Sequence, residues 1–110
     1  MVLLIDSIEQ LNRLLKLNKM ETSIVFYMGR WCEPCKTIKK TFLRLAAENE
    51  NKIQFLIVDV DMLDEIVSKM NVNIIPTFHV FSKNGSLTDQ LIGANEEKLE
   101  KLVENINKSK

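Results

Sequence analysis

The chain has 110 residues, enough for a single domain over residues 1–110 with a buried core of its own. Lysine plus arginine balances aspartate plus glutamate at fifteen each, and the basic residues are scattered, so we expect neither nucleic acid nor a membrane surface as a partner. No apolar run approaches the roughly 18 residues of a membrane span, and residues 1–6 lack the basic region and cleavage site of a secretory signal, so we expect a soluble, cytoplasmic protein.

The first half of the chain alternates short apolar runs with amphipathic stretches, a pattern typical of parallel strands joined by crossover helices. Three buried strands are predicted, the second of them central because both its faces are apolar; they occupy residues 2–5, 23–28 and 53–60. Three helices are predicted to begin at a capping-box signal formed by Ser7 and Gln10, at about Pro34, and near Met62. The helix from Pro34 is expected to end at Glu48.

The second half of the chain predicts an antiparallel hairpin. Residues 77–81 form a predicted strand, Asn84-Gly85 is a strong hairpin-turn signal, and a further strand is predicted near residues 87–92. Gly93 breaks that strand, and Asn95 can cap a last helix. The predicted fold is therefore α/β, with a mixed sheet that carries helices on both faces.

The stretch Trp31-Cys32-Glu33-Pro34-Cys35-Lys36 contains the only two cysteines and the only tryptophan of the chain. It lies where an apolar strand meets a helix, and the helical spacing puts Cys35 on the inward face. Cys32 is left at the helix start, where we expect it to be exposed and where the helix dipole favours a thiolate. Cys32 is therefore the candidate nucleophile of a redox dithiol, and Cys35 the resolving thiol.

Three other interpretations of the cysteine pair stay open. Half of a zinc site needs two more ligands, and one histidine with no further cysteine cannot complete the usual set. A structural disulfide across so short a loop would stabilise the fold weakly. Two free structural cysteines are the third possibility. A reversible dithiol is favoured, because a C-x-x-C pair in a cytosolic protein is more often catalytic than structural.

The landmarks together resemble the thioredoxin family over essentially the whole chain. The active-site motif around Cys32, the segment Ile75-Pro76-Thr77, and the C-terminal segment from Gly93 through Glu100 are similar to those of animal-type cytosolic thioredoxins. The resemblance implies a thioredoxin fold, with a five-stranded mixed β-sheet flanked by four α-helices. It also implies reduction of protein disulfides by dithiol-disulfide exchange, in cell redox homeostasis.

The resemblance implies a set of partners as well. No cofactor or metal is expected to be bound, and electrons are expected to come from NADPH through thioredoxin reductase. The expected clients are disulfide-containing proteins such as peroxiredoxins. The resemblance further implies that Pro76 follows a cis peptide bond, and that the client binds in a shallow apolar groove formed by Trp31, Ile75, Pro76, Gly93 and Ala94.

Three positions depart from the family pattern. Phe26 stands where the family has a buried aspartate that relays a proton to the resolving cysteine, Glu33 replaces the usual glycine, and Lys40 replaces a proline. A carboxylate at Glu33 disfavours the Cys32 thiolate by roughly 1 kcal/mol in a mostly aqueous setting, and Lys36 opposes it. These departures keep two alternatives open: a specialised oxidase or isomerase, and a binding module that uses the groove around Trp31 and Pro76 without turnover.

Three further predictions concern titratable residues outside the motif. Asp59, at the carboxyl end of its strand and paired with Lys39, is a candidate base in place of the missing aspartate. The alternative is that Asp59 caps the loop before the third helix. His79 is predicted to lie at a solvated or edge position, and the aspartates at 59, 61 and 64 are interpreted as a solvated helix start.

Overall fold

The computed structural model describes residues 2–17 and 19–108, so the predicted domain ends, residues 1 and 110, lie outside the described part. The strands are β1 (Val2–Leu4), β2 (Thr22–Met28), β3 (Ile53–Asp59), β4 (Thr77–Ser82) and β5 (Leu87–Ile92). The helices are α1 (Ile8–Lys16), α2 (Glu33–Glu48), α3 (Asp64–Lys69) and α4 (Glu96–Lys108).

The five strands form one mixed sheet in the order β1-β3-β2-β4-β5. β3 is parallel to both β1 and β2, whereas β4 is antiparallel to both β2 and β5. The central strand is β2, in which residues 24–27 are completely buried. The predicted α/β fold and the central place of this strand are confirmed.

The sheet separates two hydrophobic cores, because successive side chains of a strand point to opposite faces. Ile24 and Phe26 of β2 face the core formed with α2 and α4. Val25 and Tyr27 face the core formed with α1 and α3. Two helices thus cover each face of the sheet, and residues at the carboxyl end of β2 lie between both layers.

Local signals in the sequence set the predicted helix starts. Ser7, the N-cap, accepts the Gln10 N–H on its Oγ at 3.0 Å, which is the first bond of a capping box. Gln10 Oε1 reaches back to the N–H of Asp6, the residue before the N-cap, at 2.7 Å. Asn95 Oδ1 accepts the Lys98 N–H at 2.9 Å in the first turn of α4. The predictions from these capping residues are confirmed.

Two predictions about single elements differ from the structure: the burial of β1 and the first residue of the third helix. β1 is an edge strand rather than a buried one, since it pairs with β3 alone; Leu3 and Leu4 are 36% and 66% exposed. The third helix begins at Asp64 instead of near Met62. The reason is a turn in which the Asp59 carbonyl accepts the N–H groups of residues 62 and 63.

His79 is buried, with 2% of its surface exposed, so the prediction of a solvated or edge position was wrong. It lies in the middle of β4, opposite Val25 of β2 on one side and Gln90 of β5 on the other. Its ring nitrogens lie 3.1 Å from the Tyr27 hydroxyl and 3.0 Å from Gln90 Oε1. These two partners satisfy the imidazole inside the sheet layer.

Candidate active site

Cys32 is the N-cap of α2. Its N–H donates to the Gly29 carbonyl at 3.2 Å, and its own carbonyl accepts the Lys36 N–H at 3.3 Å. Its sulfur accepts the Cys35 N–H at 3.2 Å. Pro34 stands in the first turn of the helix, where its missing N–H removes no hydrogen bond. The sequence thus places the Cys32 sulfur among the free N–H groups of a helix terminus.

Cys32 and Cys35 are joined by a disulfide, with their Cα atoms 5.2 Å apart. Cys35 is buried on the inward face of α2, as its helical spacing predicts. Cys32 is only 4% exposed, so the expected exposure at the helix start was wrong. The reason is that an N-cap side chain folds back over the first turn of its helix, here towards the sulfur of a buried residue.

The peptide bond between Ile75 and Pro76 is cis, as the family resemblance implies. The Pro76 carbonyl accepts the Gly93 N–H at 2.9 Å, which ties the end of β5 to the cis-proline loop. Ala94 follows Gly93 and is exposed. A Cβ atom at Gly29 would lie 3.0 Å from both Ile75 Cδ1 and Trp31 Nε1. The structure therefore brings the predicted groove residues to one end of the sheet.

Trp31 is 67% exposed beside the disulfide, and its indole N–H donates to Asp61 Oδ1 at 3.0 Å. Asp61 was predicted only as part of a solvated helix start, and its contact with the motif was missed. The two residues are thirty positions apart in sequence. They meet because β2 and β3 end together, with Met28 directly opposite Asp59.

One ion pair lies within the motif, and a second lies beside it. Lys36 Nζ lies 3.0 Å from Glu33 Oε1, and both side chains are largely exposed. Arg30 Nε donates to Asp59 Oδ2 at 3.1 Å, and the Asp59 side chain is 9% exposed. The predicted pairing of Asp59 with Lys39 was therefore wrong. Asp59 Oδ1 also accepts the Asp61 N–H at 3.0 Å, so the capping interpretation of Asp59 holds as well.

A surface cavity of about 220 Å³ adjoins Cys35, on the side of α2 that faces the end of β2. A second cavity, of about 430 Å³, shares part of this lining and extends to Asp59. The first cavity is lined by Met28, Gly29, Arg30, Cys35, Lys36 and Lys39. The resolving cysteine thus lies next to solvent-accessible space whose lining includes three cationic residues.

Across residues 2–17 and 19–108, no three histidine, cysteine or carboxylate side chains come together as ligands for a metal ion. In the same part of the chain, no helix has the length and apolar character needed to cross a bilayer.

A thioredoxin-like sheet, a cysteine pair that begins a helix, and a cis-proline loop beside it define a dithiol-disulfide oxidoreductase. The family model described as Thioredoxin matches residues 6–108. The chain belongs to the thioredoxin family, and it acts as a protein-disulfide reductase in redox homeostasis through Cys32 and Cys35.

Individual relatives agree with this assignment. The chain is 40% identical to Thioredoxin 1 of Plasmodium falciparum over 88 residues, which cover 80% of this chain and 83% of that protein. It is 41% identical to a thioredoxin of Pongo abelii over 80 residues, covering 73% and 74%. The crystal structure of a thioredoxin from Trypanosoma brucei brucei superposes with a TM-score of 0.88 at 31% identity, covering 98% of this chain and 92% of that one.

Proposed function

We propose that this chain reduces protein disulfides in the cytosol with electrons that a thioredoxin reductase takes from NADPH. The observation that carries the proposal is the Cys32–Cys35 disulfide at the N-terminus of α2, beside an exposed Trp31. Such a pair can open and close without rearrangement of the fold, because its cysteines are separated by only two residues. The disulfide itself is the redox group, and the proposal needs no bound cofactor.

The proposed reaction has two thiol exchanges. The Cys32 thiolate attacks one sulfur of the client disulfide, and the other client sulfur leaves as a thiolate. The Cys35 thiolate then attacks the Cys32 sulfur of the mixed disulfide, and the second client sulfur leaves. Two electrons pass from the protein dithiol to the client disulfide, and the Cys32–Cys35 bond forms again.

The proposed docking site for the client is the groove formed by Trp31, Ile75, Pro76, Gly93 and Ala94. Its apolar walls would hold an extended client segment beside Cys32. The anchoring of the Trp31 indole by Asp61 supports the proposal, since a fixed aromatic side chain loses little freedom on binding.

The charged residues near the motif are proposed to adjust the reactivity of the dithiol. Glu33 disfavours the Cys32 thiolate, and the Lys36 ammonium bound to it offsets that effect. Asp59 as the base for Cys35 stays a prediction. Its contacts with Arg30 and with the Asp61 N–H argue against that role, because each of its two oxygens already accepts a hydrogen bond.

Peroxiredoxins are proposed as one class of client. Support comes from a solved yeast mitochondrial structure with a TM-score of 0.84 and 25% identity, whose subject is thiol resolution in a 1-Cys peroxiredoxin through glutathione and thioredoxin systems. A peroxiredoxin would enter the same exchange at Cys32, and the electron acceptor would be a disulfide that its oxidised cysteine has formed with another thiol.

The experiment that tests the proposal is NADPH oxidation in the presence of thioredoxin reductase, this chain, and insulin as a disulfide substrate. We expect sustained turnover with the natural chain and none with Cys32→Ser or Cys35→Ser. The Cys35→Ser chain should also accumulate a mixed disulfide with the substrate, whereas the Cys32→Ser chain should not. Turnover that persisted in Cys32→Ser, or a natural chain that never oxidised NADPH, would contradict the proposal.

A further inference from the structure

The cavity beside Cys35 has an unusual electrostatic lining. Three of its six lining residues, Arg30, Lys36 and Lys39, are cationic, and no carboxylate is among them. When the pair is reduced, Cys35 contributes an acidic thiol to this lining. The charges around it therefore favour its thiolate over its thiol, since an opposite charge nearby stabilises the ionised form.

The core position occupied by Phe26 does not carry a carboxylate either. Phe26 stands where the family resemblance expects a buried aspartate, and it is completely buried. Its ring stacks on Phe78 and also packs against Phe42. The proton of Cys35 must therefore leave towards the open cavity instead of towards a base in the core.

The three cations differ in how far they are already neutralised. Arg30 is bound to Asp59 at 3.1 Å, and Lys36 is bound to Glu33 at 3.0 Å. Lys39 has no ion pair among the described residues. Residues four apart on a helix have Cβ atoms about 5–6 Å apart, and Lys39 follows Cys35 by four positions on α2. Lys39 is thus the uncompensated charge next to the resolving thiol.

We propose that Lys39 is a positioning residue for the resolving step: its ammonium stabilises the Cys35 thiolate and takes the place of the missing buried carboxylate. This inference rests on the proposed function. The Cys35 S–H bond breaks, and its proton passes to water in the cavity. The Cys35 thiolate then forms a bond with Cys32 Sγ while the bond between Cys32 and the client sulfur breaks, and the client leaves as a thiolate.

Asp59 is less suited to this step. It lines the neighbouring cavity, together with Lys39, and both of its oxygens already accept hydrogen bonds. Lys39 lines both cavities, including the one that adjoins Cys35, and it has no ion pair among the described residues, whereas the charge of Asp59 is compensated by Arg30.

The expected effect follows from the separation of the charges. At about 7 Å and an effective dielectric constant of about 40, removal of one positive charge lowers the thiolate fraction at neutral pH roughly sevenfold. The remaining thiolate is more basic and hence more nucleophilic, with a Brønsted coefficient of about 0.4–0.5. The net expectation is a resolving step roughly threefold slower.

The experiment is stopped-flow reduction of dithiodipyridine, a disulfide that is uncharged at neutral pH, by the reduced chain. The first thiopyridone release reports attack by Cys32, and the second reports resolution by Cys35. Lys39→Gln should slow the second release roughly threefold at neutral pH and leave the first unchanged. Lys40→Gln is the matched control, since Lys40 is an exposed neighbour on the same helix. Lys39→Arg should keep the natural rate.

The pH profile separates an electrostatic role from a structural one. Once the pH exceeds the ionisation of the Cys35 thiol in both chains, their thiolate fractions are equal, and Lys39→Gln should become roughly twofold faster than the natural chain because its thiolate is the more basic. The inference would be overturned by a second release that is unchanged in Lys39→Gln or slower at every pH. It would also be overturned if Asp59→Asn slowed the second release while Lys39→Gln did not. Failure of the proposed function looks different, because the natural chain would then not support NADPH oxidation with thioredoxin reductase and insulin, whatever the rate of the second release in Lys39→Gln.

Discussion

The ring of Phe26 stacks on the ring of Phe78, with centroids 4.8 Å apart and planes 16° from parallel. The ring of Phe42, on α2, packs against the Phe26 ring, with the two centroids 5.1 Å apart. All three side chains are completely buried, and they lie between two strands, β2 and β4, and α2, the helix that carries the redox pair. At the position where the family resemblance expects a carboxylate, this chain therefore has an aromatic cluster that holds β2, β4 and α2 together.

The cluster predicts a structural role for Phe26. Phe26→Ala should lower the free energy of unfolding by about 3–5 kcal/mol, since it leaves a cavity and removes ring contacts worth about 0.5–1.5 kcal/mol each. Denaturant unfolding of the oxidised chain measures this loss. Ile92→Ala is the control, because Ile92 is 51% exposed and should change stability by less than about 0.5 kcal/mol. Equal effects of the two substitutions would contradict the structural role.

The contact between Trp31 and Asp61 predicts an effect on client binding. Asp61→Ala frees the indole, and a hydrogen bond worth about 0.5–1.5 kcal/mol is lost, so the KM for a protein disulfide should rise roughly twofold to tenfold. Asp61→Asn keeps an acceptor and should have a smaller effect. Asp64→Ala, which removes an exposed carboxylate of α3, is the matched control. If both alanine variants showed the same KM, Asp61 would have no part in binding.

The ion pair between Arg30 and Asp59 predicts a coupling in stability. Arg30→Gln leaves the buried carboxylate without its cation and should cost about 1 kcal/mol, a modest value because the arginine is largely exposed. Adding Asp59→Asn should recover part of that loss, since a neutral amide needs no cation. Thermal or denaturant unfolding of the single and double variants measures the coupling. Arg13→Gln is the control for removal of a surface cation, and single-variant costs that simply add in the double variant would contradict the coupling.

His79 predicts a decline of stability in mild acid. Burial lowers the pKa of His79 from its usual 6.5, and the hydrogen bond to Gln90 opposes this in part. Burial also raises the pKa of Tyr27, which stays a neutral donor to the imidazole. Because the unfolded chain binds the proton first, the stability is complete above about pH 6.5 and falls as the pH decreases, by at most about 1.4 kcal/mol per pH unit.

The measurement for His79 is the free energy of unfolding between about pH 5 and 7.5, for the natural chain and His79→Gln. The slope in the acidic part of this range should be smaller in the variant, whatever its absolute stability. Identical slopes would show that His79 binds its proton equally well in the folded and unfolded chain.

The order of the elements and the cysteine motif could be predicted from the sequence because both depend on local patterns. The start of α1 at Ser7 and the cap at Asn95 are signals confined to a few residues, and the helical spacing of Cys35 correctly places it inside. The cis bond before Pro76 came from the family resemblance, since nothing local distinguishes it from a trans bond.

What was missed depends on contacts between distant segments. The pairing of Trp31 with Asp61 and of Arg30 with Asp59 requires the register of β2 against β3, which periodicity does not give. The burial of His79 requires β2 as the second neighbour of β4, on the side away from the predicted hairpin partner β5. Polar residues at strand positions look solvated in a sequence, although a partner across the sheet can satisfy them.

The most direct test of the account is the reduction potential of the Cys32–Cys35 pair, equilibrated in thiol buffers and read by the mass shift on alkylation. A protein-disulfide reductase requires a value close to roughly −270 mV, as for reducing thioredoxins, and this is the predicted result. A value near or above roughly −180 mV would contradict the account, because it would make the pair an oxidant or an isomerase.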